Sequence, residues 1–214
     1  MDKTIKNINL LNYEEGPTAL ELNGNEITTN LGIIYRDPDI LIRPNYVYMD
    51  TNNVPEGPKM LEAAGYGKPL QVWGQPYVVS SGFCDYPVYE IDIKKMLADH
   101  PEAKNDYVES MSSYIESFTV ARANMYLNDP FMDFSEGVSA RECGAPALGY
   151  LNALDAFSEE DMKKFEKVLD NFCAEAQPKI DAILKEMQKN VIPEPVADDS
   201  GDDFGSEDEP TYEE

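Results

Sequence analysis

The chain has 214 residues, of which 42% are apolar and 10% aromatic, enough for one domain with an extension or two small ones, so a wholly disordered protein is excluded. Seventeen Lys and Arg against 41 Asp and Glu give a net charge of −24, which disfavours direct binding of nucleic-acid phosphates or anionic lipid and favours basic proteins or cations. Residues 1–95 hold 8 positive and 13 negative side chains, 96–192 hold 9 and 18, and 193–214 hold none and 10, so the body without its tail still carries −14.

The first half alternates short apolar runs with turn signals, the pattern of a β-rich region. Asn23-Gly24 stands between runs at 20–22 and 26–28, and Asn-Gly readily takes the positive φ angles of a tight hairpin. A second hairpin is expected from 32–35 and 40–43 around Asp37-Pro38-Asp39, and a third from 70–73 and 77–80 around Gly74-Gln75-Pro76. With 46–49 and 86–93 added there are about eight short strands, suited to a sandwich or a barrel.

From residue 96 the period changes. Pro101 fits the first turn of a helix, and the chain from there to Leu127 contains neither Gly nor Pro. Val108, Met111, Ile115, Phe118, Arg122 and Met125 are spaced alternately three and four apart, a narrow seam of coiled-coil type with one Arg in it, which calls for a partner helix. Residues 128–157 are full of breakers and read either as a loop packing Phe131, Met132 and Phe134 inward or as a docking arm, with a short helix expected from Pro146. Ser158 ahead of Glu159, Glu160 and Asp161 predicts an N-cap and a second long helix. Its apolar stripe from Met162 to Met187 keeps phase across Pro178, so a kink or a tight break is expected there.

No catalytic, cofactor or metal set emerges from the spacing. The stretch 65–69, GYGKP, lacks the earlier Gly and the later Ser or Thr of a phosphate loop, so a turn before a strand is the better reading. His100, the single histidine, precedes Pro101 and is expected in an exposed connection, with nothing to tie it to Cys84, Cys143 or Cys173. Three cysteines without metal-ligand spacing, a polar start, and no apolar run near the ~18 residues of a membrane span point to a cytoplasmic, reduced setting. Thirteen tyrosines, many of them in the β region, read first as strand residues and second as interface residues.

Residues 193–214, PEPVADDSGDDFGSEDEPTYEE, contain no cation and too few apolar side chains to offset the entropy of ordering, so a disordered tail is expected. Its acids Asp198, Asp199, Asp202, Asp203, Glu207, Asp208 and Glu209, with Phe204 and Tyr212 as short anchors, suit a basic groove on another protein or a basic surface of the protein's own assembly. An Asp-rich tail with an embedded Phe resembles those of single-stranded-DNA-binding proteins over these few residues, although the aromatics here are not at the terminus.

The expected architecture is α+β: a β-rich module over 1–95, a helical region over 96–192 packed on it or forming a helical pair, and the tail over 193–214. The expected function is a non-enzymatic structural or assembly protein, of which a virus-particle component is one form, that makes homo- or hetero-oligomeric contacts. The rivals are a nucleic-acid mimic that blocks a DNA- or RNA-binding protein, and a single-strand-binding barrel whose tail regulates access.

Overall fold

The computed structural model describes residues 5–13, 18–31, 43–82, 84–129 and 137–190, a β-rich N-terminal half followed by long helices. The expected hairpin over 32–43, apart from Arg43, and the whole tail lie outside these residues.

Strands β1 (Ile8–Asn12) and β2 (Thr18–Leu22) pair antiparallel, with Ile8 opposite Leu22 and Leu10 opposite Leu20. All four are buried, because alternate residues of a strand face one side. β3 (Asn25–Glu26) returns across Asn23 and Gly24, whose φ angles of 53° and 80° are those expected of Asn-Gly in a type I′ turn. β4 (Thr28–Thr29) leads to β5 (Tyr46–Met49), and β5 pairs with β10 (Cys84–Ile91), the longest strand described. β6 (Gly67–Pro69) and β9 (Val78–Ser81) pair with consecutive stretches of β10. Between them β7 (Gln71–Val72) and β8 (Gln75–Pro76) form a separate two-stranded hairpin.

The helices begin earlier than the spacing suggests. α1 (Gly57–Ala63), with Pro58 in its first turn, was not anticipated. α2 (Ile93–Asp99) starts at Asp92, whose carboxylate accepts from Lys95 N at 2.9 Å. Pro101 opens a single 3₁₀ turn (Pro101–Ala103) that runs into α3 (Lys104–Leu127). α4 spans Ala140–Ala153, so the helix expected from Pro146 starts six residues sooner. Its true start is Ser139, which accepts from Glu142 N at 3.3 Å, and Ser-x-x-Glu is a capping-box spacing. α5 (Glu159–Asn190) runs unbroken through Pro178, where the spacing predicts a kink or a break. Next to that proline, Gln177 accepts from Ala140 N at 2.7 Å and donates to Val138 O at 2.9 Å, tying α5 to the start of α4.

One continuous core joins the two halves: Leu10, Leu20, Val47 and Ile91 from the strands meet Met96, Met111 and Phe118 from the helices, then Leu151, Phe165 and Leu169. The β module and helical region therefore share their interior. The fully buried Tyr107 on α3 donates its hydroxyl to Thr18 Oγ1 on β2 at 2.9 Å, and Thr18 donates to Pro44 O at 2.5 Å. This chain leaves none of the three polar groups unpaired, as burial requires.

The expected N-cap at Ser158 forms. Asp161 N donates to Ser158 Oγ at 3.2 Å, while the Asp161 carboxylate accepts from Ser158 N at 2.9 Å and from its hydroxyl at 2.7 Å. Lys104 Nζ lies 3.1 Å from the same carboxylate and so links α3 to α5. Burial opposes ionisation of Asp161, but the Ser158 hydrogen bonds and the Lys104 ammonium outweigh it and hold the carboxyl below the ordinary aspartate value. A depressed folded-state pKa contributes stability that is present above the unfolded pKa and is lost as pH falls through the folded one. Asp161→Asn should thus lower stability by ~1–3 kcal/mol at neutral pH. The gap to the parent should close on acidification below the ordinary aspartate range, as read by urea midpoints at each pH.

Candidate functional site

Hairpin β7–β8 leaves the sheet at Val88, the residue of β10 between its stretches paired with β6 and β9. Leu70 N donates to Val88 O at 2.8 Å, Val88 N to Tyr77 O at 3.0 Å, and Tyr77 N to Leu70 O at 2.7 Å, so both feet of the hairpin are fixed. Beneath them is a second, smaller core of Tyr48, Val79 and Val88, with Leu70, Tyr77 and Tyr86 packed around it. Burial pushes the Tyr48 phenol up to about 12, so it stays neutral at physiological pH.

The tip differs from the expected Gly74-Gln75-Pro76 turn. The two turn residues are Trp73 and Gly74, at φ 51° and 78°, because β7 and β8 already pair from Val72 to Gln75. Positive φ at both central positions is the type I′ geometry, which favours Asn, Asp or Gly. A β-carbon there costs on the order of 1–2 kcal/mol. Trp73, the only tryptophan in the chain, accepts this strain while 99% exposed. Burial within its own chain offers no return, and uncovered aromatic side chains on projecting loops are typical of contact residues. Trp73→Asn should raise the stability of the monomer by roughly 1 kcal/mol, seen as a higher urea midpoint, since Asn tolerates this conformation.

The charge pattern singles out the same segment. Residues 69–84 contain no Asp, Glu, Lys or Arg, the longest such run in a chain that is 27% charged. Charge depletion around an aromatic centre is the composition of an interface core. Gln71, Gln75, Pro76 and Val78 are exposed beside Trp73. Residue spacing alone makes Trp73 the end of a strand, so the site is not visible from it. The legible signals were the lone tryptophan and the absence of charge around it.

A second concavity, about 510 Å³, lies between α4 and the start of α5. Leu148, Phe157 and Met162 are half-buried along it, with Asn152, Glu159 and Glu166 among its polar lining. Phe157 is held by Tyr107, stacked at 6.0 Å between centroids, and by Phe165, edge-on at 5.0 Å. Gly149 on α4 borders the cleft, and a β-carbon added there would meet nothing within 4 Å.

The stretch 65–69 lines a third concavity of about 370 Å³ with Glu90, Asp92 and Lys94. Its charges are engaged: Lys68 with Glu90 at 3.1 Å, Lys94 with Asp155, and Asp92 with the start of α2. Gly67 has a packing reason, since a β-carbon there would lie 2.6 Å from Leu61 Cδ2 and 3.1 Å from Glu90 O. The stretch is a turn entering β6, as its spacing suggested.

His100 is not in an exposed connection. It is 9% exposed, its ring edge-on to Tyr66 and its Nδ1 3.2 Å from Glu102, at the junction where α2 ends and the 3₁₀ turn begins. Cys143 and Cys173 are buried, and burial raises both thiols. Cys84 is the first residue of β10, opposite Ser81. Among the described residues no group of three or more His, Cys, Asp or Glu is placed to hold a metal ion, and no helix is long and apolar enough to cross a membrane.

Of the seam residues, Met111, Ile115 and Phe118 are buried, Val108 is half-buried and Met125 is 47% exposed. The buried face turns instead through Thr119, Ala123 and Leu127, where α3 meets α4 and α5. Arg122 lays its guanidinium 6.0 Å from the Phe118 ring and 5.6 Å from that of Tyr126, to whose hydroxyl it donates at 3.0 Å. The tail residues Asp198, Asp199, Asp202, Asp203, Phe204, Glu207, Asp208, Glu209 and Tyr212 lie outside the described residues. No protein family, curated protein or solved structure matches the chain.

Proposed function

We propose that this protein is a non-enzymatic assembly component that acts inside the cell, holding other protein chains through its folded body and engaging a basic partner through the acidic segment 193–214. The observation that carries the reading is the exposed, conformationally strained Trp73 at the centre of a charge-free run in a chain of net charge −24. A protein that only needed solubility would gain nothing from that residue in that place. The tail adds −10 with no cation, which attracts a basic groove over distances of about 8–10 Å at physiological salt. A component of a virus particle or of a comparable multi-chain assembly is one concrete form of such a protein.

Capture of basic proteins from the source lysate by the full chain and by 1–192 tests the reading. The tail-deleted form should lose most of that binding, and the bound fraction should fall with added salt. Retention of binding to a DNA- or RNA-binding protein after tail deletion would replace this reading with nucleic-acid mimicry by the acidic body, which keeps −14 without the tail.

A further inference from the structure

The contact between α4 and α5 is fixed at two places. At one, Gln177 on α5 bonds to Val138 O and Ala140 N. At the other, Gly144 on α4 lets Leu169 approach until an added β-carbon would lie 2.3 Å from its Cδ1. Between these anchors, on the buried side of each helix, stand Cys143 and Cys173. Cys143 is next to Gly144, and Cys173 is one turn from Leu169 and one turn from Gln177. The other buried residues of α4 around this point are Ala140, Gly144 and Ala147, so only small side chains separate the two helix axes there. A disulfide requires that kind of approach, with Cα atoms ~4.4–6.8 Å apart. Burial is the main cause that raises the Cys143 thiol, and the nearness of Cys173 adds to it. We infer that Cys143 and Cys173 are a redox pair, which a peroxide converts to a reversible disulfide that locks α4 to α5.

Both thiols are free in this structure. Cys173, at 8% exposure against 1% for Cys143, is the more accessible and reacts first. Its thiolate attacks one oxygen of hydrogen peroxide; the S–O bond forms as the O–O bond breaks, and the departing hydroxide takes up the thiol's proton as water. The Cys143 thiol then attacks the sulfenic sulfur of Cys173. The S–S bond forms, the S–O bond breaks, and the hydroxyl leaves as a second water with the Cys143 proton. Two thiols lose two electrons and the peroxide gains them. Burial holds both thiols above the ordinary cysteine value, although Arg122 acts to lower Cys143 and Arg141 to lower Cys173. The pair is therefore slow to react while the helices are packed, and local opening of α4 from α5 admits the oxidant. Inside the cell, where the proposed function places the protein, the thiol pool returns the disulfide to the dithiol, so the link answers an oxidant and is not a permanent staple.

Graded hydrogen peroxide added to the full chain, followed by alkylation of the remaining thiols, tests this. Trypsin separates the two cysteines, because Lys163, Lys164 and Lys167 lie between them, and leaves them in peptides 142–163 and 168–179. Mass spectrometry without reduction should show these two peptides joined, with the loss of two hydrogens, and dithiothreitol should release them. The oxidised chain should unfold at a urea concentration about 1–3 M higher than the reduced chain, since the link closes a long loop in the unfolded state. Cys143→Ala and Cys173→Ala should each remove both the joined peptide and the rise in midpoint. The joined peptide in the unaltered chain decides the matter even if either variant folds poorly.

Recovery of both cysteines as separate alkylated peptides, under peroxide that has already oxidised Cys84, would overturn the inference. So would a link from either residue to Cys84 in place of the pair, or a pair that forms only above the urea midpoint of the reduced chain. A link that lowers the midpoint would overturn it too, because the native approach of α4 to α5 would then not fit a disulfide. Each of these results leaves the tail-dependent binding of a basic partner standing or falling by itself.

Discussion

Gly144→Val should be among the most destabilising single changes available in the helical half. Gly144 sits on α4 where that helix meets α3 and α5, and a β-carbon there would lie 2.3 Å from Leu169 Cδ1 and 2.5 Å from Thr119 Oγ1. Leu169 is fully buried, and the Thr119 hydroxyl is held by its bond to Ile115 O at 2.7 Å, so neither neighbour can simply rotate away. Overpacking of this kind costs typically 1–3 kcal/mol and occasionally more. Even Gly144→Ala should lose stability, although Ala is favoured over Gly in a helix by ~0.8–1 kcal/mol. The valine variant, with two further methyl groups, should lower the urea midpoint well beyond the alanine variant while the slope stays constant. An alanine variant as stable as the parent would mean that the three helices do not approach this closely. Gly149 on the same helix provides the control, because its substitution meets open space.

Phe118→Ala and Met125→Ala should differ by several kcal/mol, although both belong to the seam read from residue spacing. Phe118 is fully buried, with the Tyr114 and Tyr150 rings each 5.9 Å away, and truncating such a residue costs ~3–5 kcal/mol. That is a large share of the 5–15 kcal/mol that holds a typical domain, so Phe118→Ala should be at best marginally folded. Met125 is 47% exposed, and its truncation should fall within about 0.5 kcal/mol of neutral. Chemical denaturation of the pair settles it: comparable losses would return Met125 to the buried face. The difference arises because a seam with a 3.5-residue repeat stays on one side only in a supercoiled helix. A straight helix at 3.6 residues per turn drifts about 20° every heptad. Over the 24 residues of α3 the buried face moves to Ala123 and Leu127, and Met125 is carried outward.

Local chemistry was legible where a few adjacent residues decide the outcome. The Asn23-Gly24 turn, the Ser158 cap, the buried alternation of β1 and β2, and the long helix ending at Leu127 follow from φ preferences, side-chain caps and hydrophobic period. Where two local signals conflicted, the weaker one was correct. Ser139 and Glu142 mark the start of α4, but Gly144 and Pro146 behind them look like breakers. Only the packing of Leu169 and Thr119 against α4 explains why glycine is required inside that helix. His100 followed the same logic: its neighbour Pro101 suggested exposure, and the fold of α2 over Tyr66 buried it.

The sequence by itself determined the charge of the protein, including the charge-free interval over 69–84, because composition does not depend on folding. It determined also that a β-rich half precedes long helices, since periods of 2 and of 3.6 bury different residues. Only the tertiary structure decided that these halves share one core, with Tyr107 reaching Thr18 across 89 residues of chain. It alone decided that Trp73 stands at the tip of a hairpin in open solvent, because exposure depends on what the rest of the chain brings near, and nothing described here is brought near Trp73.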